Sequence, residues 1–148
     1  MNQVMFVGAV GAGKTSLIHA LNKDSKKAEK TQSFVFTDGA IDTPGEYAQM
    51  PRFYSALMVT AAQASLIVIV QDSRNTRPTL PPGFAGMFSR DSIGVITKID
   101  SPDADRDKAR IRLLESGVKG PIFPVSAFTG EGIEELMDYI FERRCSNE

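Results

Sequence analysis

Gly8-Ala-Val-Gly-Ala-Gly13-Lys14-Thr15 sets glycines, a lysine and a hydroxyl at the spacing G-x-x-x-x-G-K-[ST]. Those residue types in that order suit a polyphosphate. The glycines let backbone N–H groups curl around phosphate oxygens with no Cβ in the way. A helix beginning at Lys14 would aim its positive end at the same anion. Lys14 would reach the β- and γ-phosphates as a point charge, and the Thr15 hydroxyl would ligate Mg²⁺. Gly8, Gly11, Ala12, Gly13, Lys14, Thr15 and Ser16 are therefore the expected phosphate-binding set. The bland alternative is a glycine-rich turn with a chance Gly-Lys-Thr. An apolar strand before it and an apolar-faced helix after it argue against that.

Three further clusters carry chemistry. Asp42-Thr-Pro-Gly45 follows a short apolar segment. An Asp there can hold Mg²⁺ through water, and the Gly45 N–H can sense a γ-phosphate. Taken alone, Thr-Pro-Gly is also an ordinary turn. Thr97-Lys98-Ile-Asp100 follows the run Ile93-Gly-Val-Ile96, and Ser126-Ala127 follows Pro121 to Val125. A carboxylate at Asp100 can accept both hydrogen bonds from the N1 and N2 edge of guanine, an edge adenine lacks. The Lys98 stem would lie over the base, and the Ala127 N–H would meet the guanine O6. Singly, Lys98 reads equally as a solvated lysine and Asp100 as a helix cap.

The elements that must position these residues alternate between short apolar runs and amphipathic or turn-rich stretches, the pattern of a parallel α/β sheet. Strands are expected at Val4–Val7, Ser33–Thr37, Ala40–Ile41, Leu66–Val70, Ile93–Ile96 and Pro121–Val125. Asp38-Gly39 signals a hairpin between the second and third. Helices are expected over Thr15–Asn22, over Pro51–Ala64, and from a Ser101 cap with Pro102 in the first turn. Ile111, Leu114 and Ala104 would then face the sheet. A closing helix carries Ile133, Leu136, Met137, Ile140 and Phe141 as one stripe. Asp72 to Gly83, with its prolines, reads as a loop followed by a short helix. Every motif falls at the carboxyl end of a strand, where open α/β sheets place ligands. The expected architecture is one domain over residues 1–148: a doubly wound, mostly parallel six-stranded sheet with helices on both faces.

Composition excludes other classes. Seventeen Lys and Arg against 18 Asp and Glu leave a formal charge of −1, so bulk electrostatic binding of nucleic acid is not expected. The single cysteine and single histidine exclude an internal disulfide and a Cys/His zinc cluster, and fit a reducing cytoplasm. The longest apolar run, Leu66 to Val70, is too short to cross a bilayer, so no membrane insertion is expected. No signal peptide is read at the start. Cys145-Ser-Asn-Glu has the spacing of a prenylation box without its aliphatic positions.

Together the four motifs resemble the small GTPase fold of Ras and its bacterial relatives. Ser126-Ala-Phe-Thr-Gly-Glu-Gly-Ile-Glu-Glu-Leu136 is similar to the end of a translation-factor-type GTPase domain. Phe6 to Thr15, Lys30-Thr-Gln32, Ile41-Asp-Thr-Pro-Gly-Glu-Tyr47 and Pro102-Asp-Ala-Asp105 more narrowly resemble the EutP/PduV family. That resemblance implies GTP/GDP as the nucleotide, with Mg²⁺ held by Thr15, Thr31 and Asp42. It implies work beside a bacterial microcompartment, with shell proteins as candidate partners, in ethanolamine or propanediol utilisation. Some members are described as having acetate-kinase-type activity.

The chain departs from the GTPase pattern at several points. Thr97 replaces the usual Asn, and Val10 stands where Ras-like proteins have Gly. Glu46 takes the place of the water-orienting Gln. Thr31 is the candidate switch threonine, with an exposed Thr at the start of a strand as its equal alternative. Lys14, Glu46 and Thr31 form the candidate catalytic set. Three functions stay open: a slowly hydrolysing GTP switch, an ATP-dependent phosphotransferase acting on a small carboxylate, and a structural shell-associated module. Asp100 and Ala127 favour the first. Arg52, Arg74 and Arg77 are the candidate carboxylate binders for the second.

Overall fold

The computed structural model describes residues 3–8, 13, 14, 16–21, 40–42, 52, 54–62, 64–74, 80, 82–88 and 90–146. Strand β1 (Gln3–Gly8) is followed by helix α1, whose described residues are 14 and 16–21. Then come β2 (Ala40–Asp42), α2 (Tyr54–Ala61), β3 (Ala64–Asp72), a 3-10 turn (Phe84–Met87) and β4 (Asp91–Thr97). Helix α3 (Arg106–Glu115), β5 (Ile122–Pro124) and α4 (Ile133–Ser146) complete the order. The described strands pair in the order β2-β1-β3-β4-β5, every pair parallel. The sixth strand expected at Ser33–Thr37, and its hairpin, lie outside the described residues.

Alternating side chains split the core into two layers, as a period-2 strand requires. Val4, Phe6, Val68, Val70, Ile93 and Val95 pack beneath Leu17 and Leu21 of α1 and Leu136 and Ile140 of α4. Met5, Val7, Ile67, Ile69 and Ile96 pack beneath Leu57 of α2 and Ala109 and Leu113 of α3. With both faces covered, the strands carry continuous rather than alternating apolar sequence. The sheet is doubly wound, as expected. Its chain order reverses at β1, which opens a crevice at the carboxyl ends of β1 and β3.

Two helix boundaries and one helix face differ from expectation. Helix α2 ends at Ala61, because Ala64 already belongs to β3; Leu57 and Ala61 bury its face, while Ala56 is exposed. Helix α3 begins at Arg106, not after Ser101. Its cap is Asp105, whose carboxylate accepts from the Lys108 N–H at 3.0 Å and whose own N–H donates to Ser73 at 2.8 Å. Ile111 and Leu114 are about half exposed, and the sheet-facing stripe is Ala109 and Leu113. Gly94 sets that phase: a Cβ there would stand 2.9 Å from a Leu113 methyl, so α3 seats Leu113 in the space a side chain would fill. The short helix expected within Asp72 to Gly83 is not seen among the described residues there; a 3-10 turn follows that segment, at Phe84–Met87. Buried Phe84 meets Tyr54 and Phe88 edge-on, Gly83 donates to the Glu115 carbonyl that ends α3, and Ala85 donates to its C-cap Ser116.

Candidate functional site

The phosphate-loop residues that the structure describes gather at the end of β1. Gly13 has φ +93°, a conformation glycine adopts without a Cβ penalty, and its carbonyl accepts the first hydrogen bond of α1 from Leu17 at 3.0 Å. Lys14 is buried, and its Nζ donates to the Gly8 carbonyl at 2.9 Å, so its ammonium folds back over the loop. Ser16 is exposed on the first turn. Asp42 ends β2 in register with Phe6, placing its backbone at the carboxyl edge beside β1. Gly11, Ala12, Thr15, Thr31, Gly45 and Glu46 lie outside the described residues.

The second half of the site is built by the ends of β3, β4 and β5. The β3–β4 register pairs Asp72 with Thr97. Buried Thr97 donates from its hydroxyl to the Gln71 carbonyl at 3.4 Å. A Cβ built on Gly13 would lie 3.5 Å from Thr97 Oγ1 and 3.6 Å from Lys98 Cε. Both side chains therefore rest against the phosphate loop. Lys98 has φ +61°, and two bonds pin its carbonyl: the Ser101 N–H donates at 3.1 Å and the Ser73 hydroxyl at 3.0 Å. That bend separates Lys98, which lies toward the loop, from exposed Asp100.

Asp100 and Ser126 meet. Val125 donates to Ile96 at 2.7 Å and Ile99 to Val125 at 3.3 Å, which draws the two loops together. The Ser126 hydroxyl then donates to Asp100 Oδ1 at 2.8 Å. Ser126 is fully buried and closes its own turn: its Oγ accepts from the Thr129 N–H, its carbonyl from Gly130, and its N–H donates to Glu131. Ala127 heads this turn, half-buried, with Phe128 exposed beside it. Gly13, Ser16, Lys98, Asp100 and Ala127 line one cleft of about 1080 Å³. Its volume matches the upper range of small-ligand sites, about 1,000 Å³.

Sequence reasoning missed Asp72 and Ser73. Asp72 Oδ2 lies 3.0 Å from Lys98 Nζ and 3.4 Å from Arg74 Nη2, and Oδ1 accepts from the Arg74 N–H at 2.8 Å. Burial alone would raise this carboxyl. The Arg74 N–H and the Lys98 and Arg74 side chains outweigh it and hold Asp72 below the ordinary range. The available signal was position, since Asp72 stands two residues after the longest apolar run, at the same sheet edge as the other motifs.

The donor set fits a purine nucleotide on the base side: an exposed carboxylate, a lysine stem and a glycine at the loop border one cleft. Among the described residues no group of three His, Cys, Asp or Glu side chains gathers to hold a metal. The expected Mg²⁺ ligands Thr15, Thr31 and the Asp42 side chain all lie outside them. Arg74, a candidate carboxylate binder, lines the cleft but is paired with Asp72. Arg52 is exposed ahead of α2, and Arg77 lies outside the described residues.

A family model, PduV-EutP, described as "Ethanolamine utilisation - propanediol utilisation", matches residues 1–142. A protein of Escherichia coli strain K12 named "Probable acetate kinase EutP" is 40% identical over 142 residues, 95% of this chain and 89% of that one. "Propanediol utilization protein PduV" of Citrobacter freundii is 31% identical, covering 99% of this chain and 97% of its own. The G domain of the T. maritima FeoB iron transporter superposes with a TM-score of 0.62 at 25% identity, covering 95% of this chain and 97% of that one.

Proposed function

The chain belongs to the PduV-EutP family of ethanolamine and propanediol utilisation proteins and has the P-loop GTPase fold, and from that premise we propose that it binds GTP and GDP and hydrolyses GTP slowly. The observation that carries this reading is the junction at Gly13, where the phosphate loop touches Thr97 and Lys98 while Ser126 holds Asp100 two residues away. Lys14, Gly8, Gly11, Ala12, Gly13, Thr15 and Ser16 take the phosphates. Asp100 accepts from the guanine N1 and N2 edge, Ala127 donates to O6, and the Lys98 stem covers the ring. Thr15, Thr31 and Asp42 would hold Mg²⁺, which when bound neutralises charge between the β- and γ-phosphates. Gly45 and Thr31 report on the γ-phosphate, and Glu46 orients the attacking water.

We place the protein in one nucleotide-binding domain that acts beside a microcompartment, with shell proteins as its partners; the family's pathway supports that setting. Among the described residues no helix is long and apolar enough to cross a membrane.

The name of the E. coli relative supports a second reading, phosphoryl transfer from ATP to acetate. Asp100 weighs against ATP, because a carboxylate facing the adenine edge meets no donor pair. Titrating GTP, GDP and ATP with Mg²⁺ against the wild type and Lys14→Ala separates the two. Guanine nucleotides bind at least about a hundredfold more tightly than ATP on the guanine reading, a discrimination of the size a buried polar mismatch gives. Lys14→Ala loses both. ATP preference with acetyl phosphate formation overturns the guanine reading.

A further inference from the structure

Lys98 brings a flexible four-carbon stem to a site that needs it fixed. Free lysine side chains sample many rotamers, and any ring the stem covers must bear the cost of stilling them. Here the ammonium has a counter-ion waiting at the end of the neighbouring strand. Asp72 Oδ2 stands 3.0 Å from Lys98 Nζ, and the Asp72 side chain is only 12% exposed. The carboxylate is itself locked, because the Arg74 N–H donates to Oδ1 at 2.8 Å and the Arg74 guanidinium flanks both oxygens. Strand register supplies the juxtaposition, since Asp72 pairs with Thr97, directly before Lys98. The Lys98 stem therefore runs between two fixed points, a backbone bent at φ +61° and an anchored ammonium, and passes Gly13 on the way.

We propose that Asp72 is a positioning residue of the nucleotide site: it holds the Lys98 stem in place over the purine ring and so sets nucleotide affinity without touching the ligand. This rests on the guanine-nucleotide reading of the same cleft. Arg74 serves as the outer wall of the anchor, which gives it a role apart from carboxylate binding.

A double-mutant cycle with methylanthraniloyl-GDP as the probe tests it, with thermal melts recorded for every variant. The wild type, Asp72→Asn, Asp72→Glu, Lys98→Met and the double variant Asp72→Asn/Lys98→Met are titrated below their melting temperatures. Asp72→Asn weakens binding about tenfold, equivalent to about 1.4 kcal/mol, and Asp72→Glu restores part of the loss. In the Lys98→Met background Asp72→Asn costs less than about twofold, because its target is gone. Equal losses in both backgrounds mean that Asp72 acts on the fold and not through Lys98, which overturns the proposal. So does an Asp72→Asn protein that binds as tightly as the wild type. A wild type that binds no guanine nucleotide overturns the functional reading and this inference together.

Discussion

The Ser126 hydroxyl donates a 2.8 Å hydrogen bond to Oδ1 of Asp100, joining two loops that follow different strands. One carboxylate oxygen is thereby held before any ligand arrives. Preorganised acceptors of this kind recognise a matched donor pair at low entropic cost. Ser126→Ala removes the bond and leaves the Thr129 N–H without its acceptor. We expect GDP affinity to fall about tenfold and the melting temperature to drop by a few degrees, in line with about 1–2 kcal/mol for a part-buried hydrogen bond to a charged group. Titration and melting check both, and an unchanged dissociation constant would show that Ser126 does not orient Asp100.

Gly132 precedes α4 at φ +78°, and a Cβ there would lie 2.2 Å from the Pro124 carbonyl oxygen. Gly130, at φ +88°, has nothing within 4 Å of the same position. Gly132→Ala meets both strain and collision, whereas Gly130→Ala meets strain alone, about 1 kcal/mol. We expect Gly132→Ala to lose at least about twice the stability lost by Gly130→Ala. Parallel thermal melts decide it, and equal losses would mean the turn yields freely.

Much of this was legible in the sequence for physical reasons. The buried runs of β3 and β4 must be continuous because helices cover both faces of the sheet. Thr97, Lys98 and Asp100 could be placed because they follow the run of β4, and Ser126 and Ala127 because they follow the shorter apolar segment of β5. The phase of α3 was not legible. It depends on Gly94 receiving Leu113, a tertiary fit that makes Ala109 a buried residue and leaves Ile111 and Leu114 in water. The Asp105 cap was missed in favour of Ser101, since both are good caps locally. Only the Asp105 N–H bond to the Ser73 carbonyl across the site decides between them. Asp72 was missed because its role exists only through strand register.

Asp72 also carries a pH signature. Although burial works to raise its carboxyl, the Arg74 N–H and the two cations prevail, so it titrates below the ordinary aspartate value of 3.8. A carboxyl more acidic in the folded chain than in the unfolded one contributes stability that is fully present above the unfolded value. That contribution is lost as pH falls through the folded one. Asp72→Asn should thus be less stable than wild type near neutrality, by about 1 kcal/mol. The gap should narrow as pH falls below the unfolded value of 3.8 and close once pH has fallen below the folded one. Urea unfolding across that range measures it, and a constant gap would contradict the ion-pair account.

Glu46 makes a separate prediction about rate. An ionised Glu can accept a hydrogen bond from the attacking water but cannot donate to the γ-phosphate, and its charge repels those oxygens. Val10, where Ras-like proteins have Gly, would on the proposed reading add a branched side chain near the same phosphate. Single-turnover GTP hydrolysis is expected at or below about 10⁻⁴ per second, the order of unaided hydrolysis on this fold. Glu46→Gln should accelerate it and Glu46→Ala should slow it. Hydrolysis by Glu46→Ala as fast as wild type would remove Glu46 from the mechanism.

The central claim is that Asp100 reads guanine, and a base swap tests it most directly. An Asp accepts from the guanine N1–H and 2-amino group, whereas an Asn amide can donate to the 2-oxo group of xanthine. GDP and XDP are titrated by calorimetry against the wild type and Asp100→Asn, with Mg²⁺ present. The wild type should favour GDP over XDP by at least about a hundredfold, and Asp100→Asn should reverse that order. An Asp100→Asn protein that keeps the wild-type preference for GDP would contradict the account.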